Sequence, residues 1–468
     1  MKTIDEILNE ERTPAQKIED LKLKTVTVPP WSKLEKEYEP KYHPVMTDKT
    51  YRDKVNKKGE VIRMCRVTLG LQKLAVKRMT ELVFGIPVKR VYNATNDNEK
   101  KVAKIMEGIF KKNRIDSINV ERGRALYASC EFATIWYSQE QDAIYGGEKS
   151  RLKLRCKTYS PMKGDILFPL FDEYDDMIAL SIQYTREVRK EKTTYFETYT
   201  DRKHIRWVQS GRGSEWVEEL NEDIKIGKIA GVYGSREEPI WEDESKNVFE
   251  SEWSLSRNGN YLRKNSKPNW VVFMDKDDTA KFGNEPDSDT TARNVLHYPA
   301  NAKAGYETWE QAIDSLKFHV ETIRKNFFVQ LQLPDMSMES MKASPMSGEA
   351  RKMMFIDGQL KVTDESGLWI DVFNREINVV KAFMKKMYPS LINAIESLDI
   401  EVVITPYNIK DDAEQIANYT NATGGKAIMA RKTAIRKLGE VEDVDGELAL
   451  IEAEEAAESM GNIEEPTI

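Results

Sequence analysis

Four histidines, His43, His204, His297 and His319, are the side chains of this sequence best suited to acid–base work near neutral pH. None lies beside a serine or cysteine in a nucleophile signature. His319 falls within a helical pattern and His204 at the edge of a strand pattern, where an imidazole is ordinarily packed or solvated. The run Gly424-Gly425-Lys426 has the composition of a phosphate loop but not its spacing. A Walker A loop needs a further glycine upstream and a hydroxyl residue after the lysine, and Thr420 and Ala427 stand at those places. Two acidic groups, Asp172/Asp175/Asp176 and Asp275/Asp277/Asp278, lack the ligand spacing and glycine of a calcium loop, so solvated turns are expected there. Cys65, Cys130 and Cys156 are too few and too scattered for a disulfide framework or a zinc site, which fits reduced thiols in a protein made in the cytoplasm. Asn418-Tyr419-Thr420 and Asn421-Ala422-Thr423 match glycosylation sequons, which mean nothing without secretion. The residues predict no catalytic site, no metal and no cofactor.

The patterning instead supplies surfaces. Trp309, Ile313, Leu316, Val320, Ile323 and Phe327 alternate at steps of four and three, which places all six on one face of a helix expected over Tyr306–Phe328. Asp314, Lys317, Glu321 and Lys325 are expected on the opposite, solvated or partner-facing side. A methionine-rich break follows, with Met336, Met338, Met341 and Met346 before Met353 and Met354. Methionine serves equally as adaptable core filler and as a soft surface tolerating changing partners. A second stripe, Val248, Leu255 and Leu262, recurs at heptad spacing through a helix expected over Ser245–Asn265, although Asn258-Gly259 inside it is a turn dipeptide.

A chain of 468 residues is too long for one small core. Its 32% charged and 40% hydrophobic residues suggest an elongated shape or areas completed by partner chains. No apolar run approaches the roughly 18 residues that span a bilayer. The first residues, Met1-Lys2-Thr3-Ile4-Asp5-Glu6, are amphipathic and charged and form no signal peptide. The formal charge of −7 argues against a protein that grips nucleic acid over most of its surface. That charge is concentrated at the end, because no basic residue follows Lys437.

The elements expected in order are an N-terminal arm (1–60) with short helices at Ile4–Leu8 and Pro14–Leu23, then extended chain. Helices follow at Glu60–Phe84, Asn98–Phe110 and from Ile115, giving way to a strand at Phe132–Tyr137. A β-meander is expected over Arg151–Val208, with strands Leu152–Thr158, Asp165–Phe168, Met177–Tyr184, Thr194–Thr200 and His204–Gln209. A short strand within Gly227–Gly234 precedes the 245–265 helix. A compact insert (266–305) carries strands Trp270–Phe273 and Asn294–Tyr298. A long helical pattern runs from Glu349 towards Tyr388 through Phe373, Ile377, Val380, Met384 and Met387, with kinks expected at Gly358 and Gly367. A half-buried strand follows at Asp399–Thr405, then helices over Asp411–Ala456 broken at Gly424-Gly425 and Val441–Asp445. The fold class is α+β.

In this order several pieces resemble the portal (head-to-tail connector) proteins of tailed double-stranded-DNA bacteriophages, from about Val61 to Glu458. They are Val83-Phe84-Gly85-Ile86-Pro87 closing a helix, and Gly227–Gly234 with Pro239-Ile240-Trp241 before a helix. Leu331-Gln332-Leu333-Pro334-Asp335 comes next, followed by Ser347-Gly348-Glu349-Ala350-Arg351-Lys352. The tail pattern runs from Asp412–Thr423 through Lys432-Thr433 to Gly439–Asp443 and Glu447–Glu455.

The resemblance implies a ring, a dodecamer in virions, around an axial tunnel for DNA. It implies a wing (61–244, with 349–410), stem helices at 245–265 and 306–333, and a small α/β clip (266–305) between them. It further implies a tunnel loop (334–348) and a helical crown (411–468). Asp335, Met336, Met338, Glu339, Met341, Lys342 and Met346 would lie near DNA, and Trp270, Phe273, Lys276, Lys281 and Phe282 would mark the clip where a motor and adaptor dock. The implied partners are double-stranded DNA, the terminase large subunit, head-completion and tail proteins, and major capsid and scaffolding proteins, in a virion and without a membrane. Two departures stand out: no serine lies near Met429–Arg431, where many relatives start a helix with one, and the crown is short. Another head–tail adaptor or minor capsid protein is the alternative, and a nucleic-acid enzyme a more distant one.

Overall fold

In the computed structural model, residues 3–461 are described apart from 56–58, 189–190, 211–214, 266–268, 274–302, 308–312, 336–352, 354, 408–411, 425–427 and 439–443. The helices are α1 (Ile4–Ile7), α2 (Pro14–Leu21), α3 (Trp31–Tyr38), α4 (Pro44–Thr47), α5 (Leu71–Phe84), α6 (Asp97–Lys112), α7 (Ile115–Ser129), α8 (Ser245–Asn265), α9 (Ile313–Gln330), α10 (Ile356–Met387), α11 (Ile392–Ser397), α12 (Asp412–Thr423), α13 (Arg431–Leu438) and α14 (Val444–Gly461). The strands are β1 (Lys54–Val55), β2 (Val61–Ile62), β3 (Lys89–Asn93), β4 (Glu131–Tyr145), β5 (Glu148–Tyr159), β6 (Ile166–Phe171), β7 (Met177–Val188), β8 (Glu191–Tyr199), β9 (Lys203–Ser210), β10 (Val217–Asp223), β11 (Gly231–Ser235), β12 (Asn269–Phe273), β13 (Lys303–Glu307) and β14 (Asp399–Val403). The mixture is α+β. The chain divides into two compact units, one of residues 1–335 with 361–406 and one of 336–360 with 407–468.

The meander in the first unit is a five-stranded antiparallel sheet, β10-β9-β8-β7-β6, beside a three-stranded sheet, β11-β4-β5. Between them lies a core of Ala133, Ile135, Leu167, Leu180, Ile182 and Ile229. The other face of the larger sheet, with Phe196, Ile205 and Trp207, is covered by Ile7, Ile18 and Leu21 of α1 and α2. Both small helices start on a reciprocal cap, Thr3 with Glu6 and Thr13 with Gln16, which satisfies N–H groups that so short a helix leaves orphaned. The predicted strands form, and β4 and β5 extend well past the predicted Phe132–Tyr137 and Leu152–Thr158. Their outer ends are polar, so alternation is faint there. Gly146 and Gly147, both at positive φ, close the hairpin in the tight turn such strands require.

On the other side of the three-stranded sheet, α5, α7 and α10 bring together a buried aromatic cluster. Trp369 stacks on Phe132 at 5.6 Å, meets Phe84 edge-on at 4.7 Å, and donates from Nε1 to the Tyr127 hydroxyl at 2.9 Å. Phe373, Ile377, Val380 and Met384 are buried, as their spacing requires, and Met387 is half-buried. The long helix runs continuously through Gly358 and Gly367.

Two other expectations fail near the N-terminus. The arm is not extended after Leu21, because α3, a 3₁₀ turn at Pro40–Tyr42 and α4 interrupt it. The helix expected over Glu60–Phe84 begins only at Leu71, and residues 61–62 instead pair with 54–55 in a small hairpin.

In the second unit α12, α13 and α14 are separate helices, as expected. Ile416, Tyr419, Ala434, Ile435, Leu438 and Ile451 line a groove of about 280 Å³ among them. Arg431 reaches Glu455 at 2.5 Å and Lys432 pairs with Asp445, so the acidic last helix is tied to the basic one before it.

Candidate interaction surface on the paired helices

The helix α8 survives its Asn258-Gly259 dipeptide, and the surface it buries explains why. The predicted stripe does not form one covered face: Val248 is buried, Leu255 half-buried, and Leu262 53% exposed. The covered face is polar. The Leu69 N–H donates to Glu252 Oε1 at 2.6 Å, the Val67 N–H to Ser256 Oγ at 2.8 Å, and the Cys65 N–H to Asn260 Oδ1 at 2.6 Å. Alternate N–H groups of extended chain recur about every 6.6 Å, and side chains one turn apart on a helix about every 6 Å. The two periods match closely enough for residues 65–69 to run along α8 with each inward N–H satisfied by a helix side chain. An added Cβ at Gly259 would stand 2.5 Å from Cys65 Sγ, so the glycine lets the arm approach.

Further up the arm, His43 is fully buried between α4 and α8. Its Nδ1 lies 2.7 Å from Glu252 Oε1 and its Nε2 2.8 Å from the Glu37 carbonyl oxygen. Glu37 Oε2 in turn accepts from Trp241 Nε1 at 3.1 Å and from Ser245 Oγ at 2.7 Å at the start of α8. His43 reads in sequence only as a breaker beside Pro44, and nothing nearby signals its distant partner.

Beyond α8 the chain enters β12, which pairs antiparallel with β13 before the return through α9. The strand at Trp270–Phe273 forms as expected. Its partner is Lys303–Glu307, so Tyr306 and Glu307 belong to a strand and not to the predicted helix, which is described from Ile313. The ladder claims their backbone groups. Trp270 and Phe273 lie on β12, whereas Lys276, Lys281, Phe282 and the strand expected at Asn294–Tyr298 are outside the described residues, as is Trp309.

In α9, Leu316, Val320 and Ile323 are half-buried and Phe327 is buried, while Ile313 opens the helix. The opposite face is not simply charged. Phe318 is 72% exposed and Val329 61% exposed, eleven residues apart and so on one side of the helix about three turns from each other.

Gln332 ends α9 in a left-handed conformation, φ 53°, with Leu333 N–H donating to Phe328 O and Gln332 N–H to Val329 O. This is a Schellman closure without its usual glycine. Asp335, the first of the predicted DNA-proximal residues, lies 3.6 Å from Arg324. Met336, Met338, Glu339, Met341, Lys342 and Met346 are outside the described residues.

The groups that could do chemistry are used structurally. Asp172 Oδ1 accepts from Tyr174 and Asp176 N–H groups, a turn closed on itself. Among the described residues no group of His, Cys, Asp and Glu could hold a metal. Burial pushes the Cys130 and Cys156 thiols up to about 12, which leaves them protonated and unreactive. His319 is exposed, and His204 stacks on Tyr199 with Nε2 3.6 Å from Glu197. Burial alone would raise the Glu197 carboxyl. His204, the Tyr184 and Tyr199 hydroxyls and the Arg206 charge outweigh it and hold the group well below the carboxylate range. A cleft of about 860 Å³ between the outer β4–β5 hairpin and the end of α10 is lined by Glu140, Asp142, Lys149, Arg151 and Lys386, an open surface of mixed charge.

Comparison with known families settles what this arrangement belongs to. A family model described as phage portal protein, SPP1 Gp6-like, matches residues 23–460. The chain belongs to this portal family. Portal-family chains are structural components of phage particles, not members of an enzyme family, and α1–α2 precede the matched span. No curated protein matches. Among solved structures, the neck of an empty GTA particle computed with C6 symmetry is similar over 78% of this chain and 89% of that chain, with TM-score 0.41 and 6% identity. The virion of a native gene transfer agent particle is similar over 79% and 88%, with TM-score 0.36 and 6% identity. Among the described residues no helix is long and apolar enough to cross a membrane.

Proposed function

We propose that this protein is the subunit of a non-enzymatic portal ring at one vertex of a phage capsid. In the virion it forms a dodecamer around an axial tunnel for DNA packaging and ejection, and a docking platform for the terminase large subunit and head-completion or tail proteins. The observation that carries the reading is the portal-family match across residues 23–460. The paired helices α8 and α9, with the β12–β13 ladder between them, fit a stem that leads into a clip and returns. The wing is assigned to 61–244 with 349–410, the loop at the foot of α9 (334–348) to the tunnel, and 411–468 to the crown. Major capsid and scaffolding proteins would surround the wing.

A tunnel that passes DNA must hold it weakly, because each phosphate neutralised by lysine or arginine releases counterions and adds salt-dependent grip. The formal charge of −7 supports that reading. Purified protein examined by native mass spectrometry and negative-stain imaging is expected to show a closed ring with a central hole, without ATPase activity until a separate motor subunit is added. Persistent monomers, or ATP hydrolysis by the protein alone, would overturn it. Replacing Pro334–Ser347 by a Gly/Ser linker is expected to leave rings intact and impair packaging, and normal packaging would remove the loop from the mechanism.

A further inference from the structure

The helix α9 is loosely held where it starts and tightly held where it ends. Asp314, Lys317 and Phe318 are exposed, whereas Phe327, Phe328, Leu331, Leu333 and Pro334 are buried. The closing turn puts Gln332 at φ 53°, a conformation that a residue with a Cβ adopts only at a cost. Such a turn persists where the contacts around it over-determine it. Within the chain's own last turn, the Phe327 carbonyl accepts from the Leu331 N–H and the Phe328 carbonyl from the Leu333 N–H.

A further contact comes from α10. Lys361 Nζ donates to the Leu331 carbonyl oxygen at 2.7 Å, one residue past the end of α9. Carbonyls at the end of a helix carry the negative pole of its dipole and lack partners within it, so a cation is the fitting donor there. Glu365, one turn along α10 and the usual i,i+4 partner for Lys361, is paired with Arg236 at 3.2 Å. Burial lowers the Lys361 ammonium from the ordinary lysine value, with Glu365 opposing it, so its hydrogen bond forms in a medium that strengthens it. The same helix repeats the device: Lys381 Nζ donates to the Leu398 carbonyl at 2.6 Å, just past the end of α11.

We infer that Lys361 is a positioning residue: it fixes where α9 ends, and so the point from which the chain enters 334–348. The role in DNA passage rests on the assignment of that segment to the tunnel, whereas the hold on α9 does not. Between Leu331 and Asp335 the chain is anchored by the Lys361 hydrogen bond, by the buried Leu333 and Pro334, and by Arg324 at 3.6 Å from Asp335. A segment that touches a passing duplex needs a fixed base if its reach is to be the same in every subunit, and a functional group set on a loose support misses its place.

The test is Lys361→Met, which keeps the apolar stem and removes the donor, in the full chain. Hydrogen exchange at the amides of Leu331, Gln332 and Leu333 is expected to rise about tenfold, the size of a lost hydrogen bond from a charged group, while β4 and α7 keep their protection. Adding Gln332→Gly, which removes the cost of the left-handed turn, is expected to recover most of that protection. Unchanged exchange, a rise spread equally over β4 and α7, or no recovery with the glycine overturns the hold on α9, whatever the chain does in a particle. In particles built with Lys361→Met, rings are expected to form normally and packaging to fall, and Gln332→Gly to restore it. Normal packaging where the Pro334–Ser347 linker replacement impairs it overturns the positioning role and leaves the portal reading standing. Normal packaging with both changes removes the segment and its positioning from the mechanism together. A parent chain that forms no rings overturns the portal reading, and the exchange result still decides the contact.

Discussion

The body around β4, α7 and α10 and the paired helices α8 and α9 place their side chains in opposite ways. In the body, buried charge is met by side chains of the same chain around Glu376. Arg122 Nη2 meets Glu376 Oε1 at 2.5 Å, its Nη1 reaches Glu376 Oε2 at 3.2 Å and Asn119 at 3.1 Å, and its Nε donates to Thr134 at 2.9 Å. Trp136 Nε1 adds a bond to the same carboxylate at 3.1 Å. On the helix pair, polar side chains hold the arm while Leu262, Phe318 and Val329 remain in solvent. The first arrangement is finished within one chain. The second leaves Leu262, Phe318 and Val329 exposed in the single chain.

Removing Glu376 should produce the largest effect. Glu376→Leu strands the Arg122 guanidinium in the core and removes the acceptor of Trp136, and breaking a buried pair of this kind costs about 3–5 kcal/mol. Denaturant titration should show that loss. The double change Arg122→Met with Glu376→Leu should be less damaging than Glu376→Leu alone, and equal damage would mean the pair does not organise the body.

Next comes Gly259. In a solvated helix, Gly259→Ala should stabilise by about 1 kcal/mol. Against Cys65 Sγ it should instead destabilise and raise the susceptibility of residues 60–70 to proteolysis, with Cys65→Ala recovering much of the loss. A simple gain in stability would show that the arm does not press on α8.

Acid should act on the body before assembly is considered. The Ser397 hydroxyl, then the Thr95 N–H and hydroxyl, hold the Glu99 carboxyl down to about 2, outweighing burial. Since the folded value lies below the roughly 4.3 of an unfolded glutamate, this contribution is complete above that pH and lost as pH falls towards 2. Glu99→Gln should flatten the pH dependence of unfolding between those values, and an unchanged slope would remove Glu99 as its source.

Smallest of all, Phe318→Ser should change the stability of the unassembled chain by no more than about 0.5 kcal/mol, as for other exposed positions, and yet lower the yield of rings. A larger loss in the single chain would mean that Phe318 packs within its own subunit.

The sequence carries the body legibly because its periods are local. Alternation in β6–β9 and the spacing of Phe373, Ile377, Val380 and Met384 mark elements whose buried faces are complete in one chain. What it hides depends on distant partners. Glu376 looks like any charged helix residue until Arg122 arrives from α7. Met64 to Leu71 reads as the start of a helix from its apolar spacing, but the Cys65, Val67 and Leu69 N–H groups find their acceptors on α8, nearly two hundred residues away, and the chain there stays extended. The stripe from Leu316 to Phe327 lies on α9, although the helix was expected from Tyr306, and charge alternation on the far side concealed Phe318 and Val329. The Gly259 signal was real and meant close approach, not a turn.

Hydrogen exchange on the assembled ring and on subunits dissociated from it compares the two regions most directly. The predicted result is that amides of α8 and α9 gain protection on assembly while those of β4, α7 and α10 stay as protected as before. Equal protection of α8 and α9 in both states, or gains confined to the body, would contradict the account.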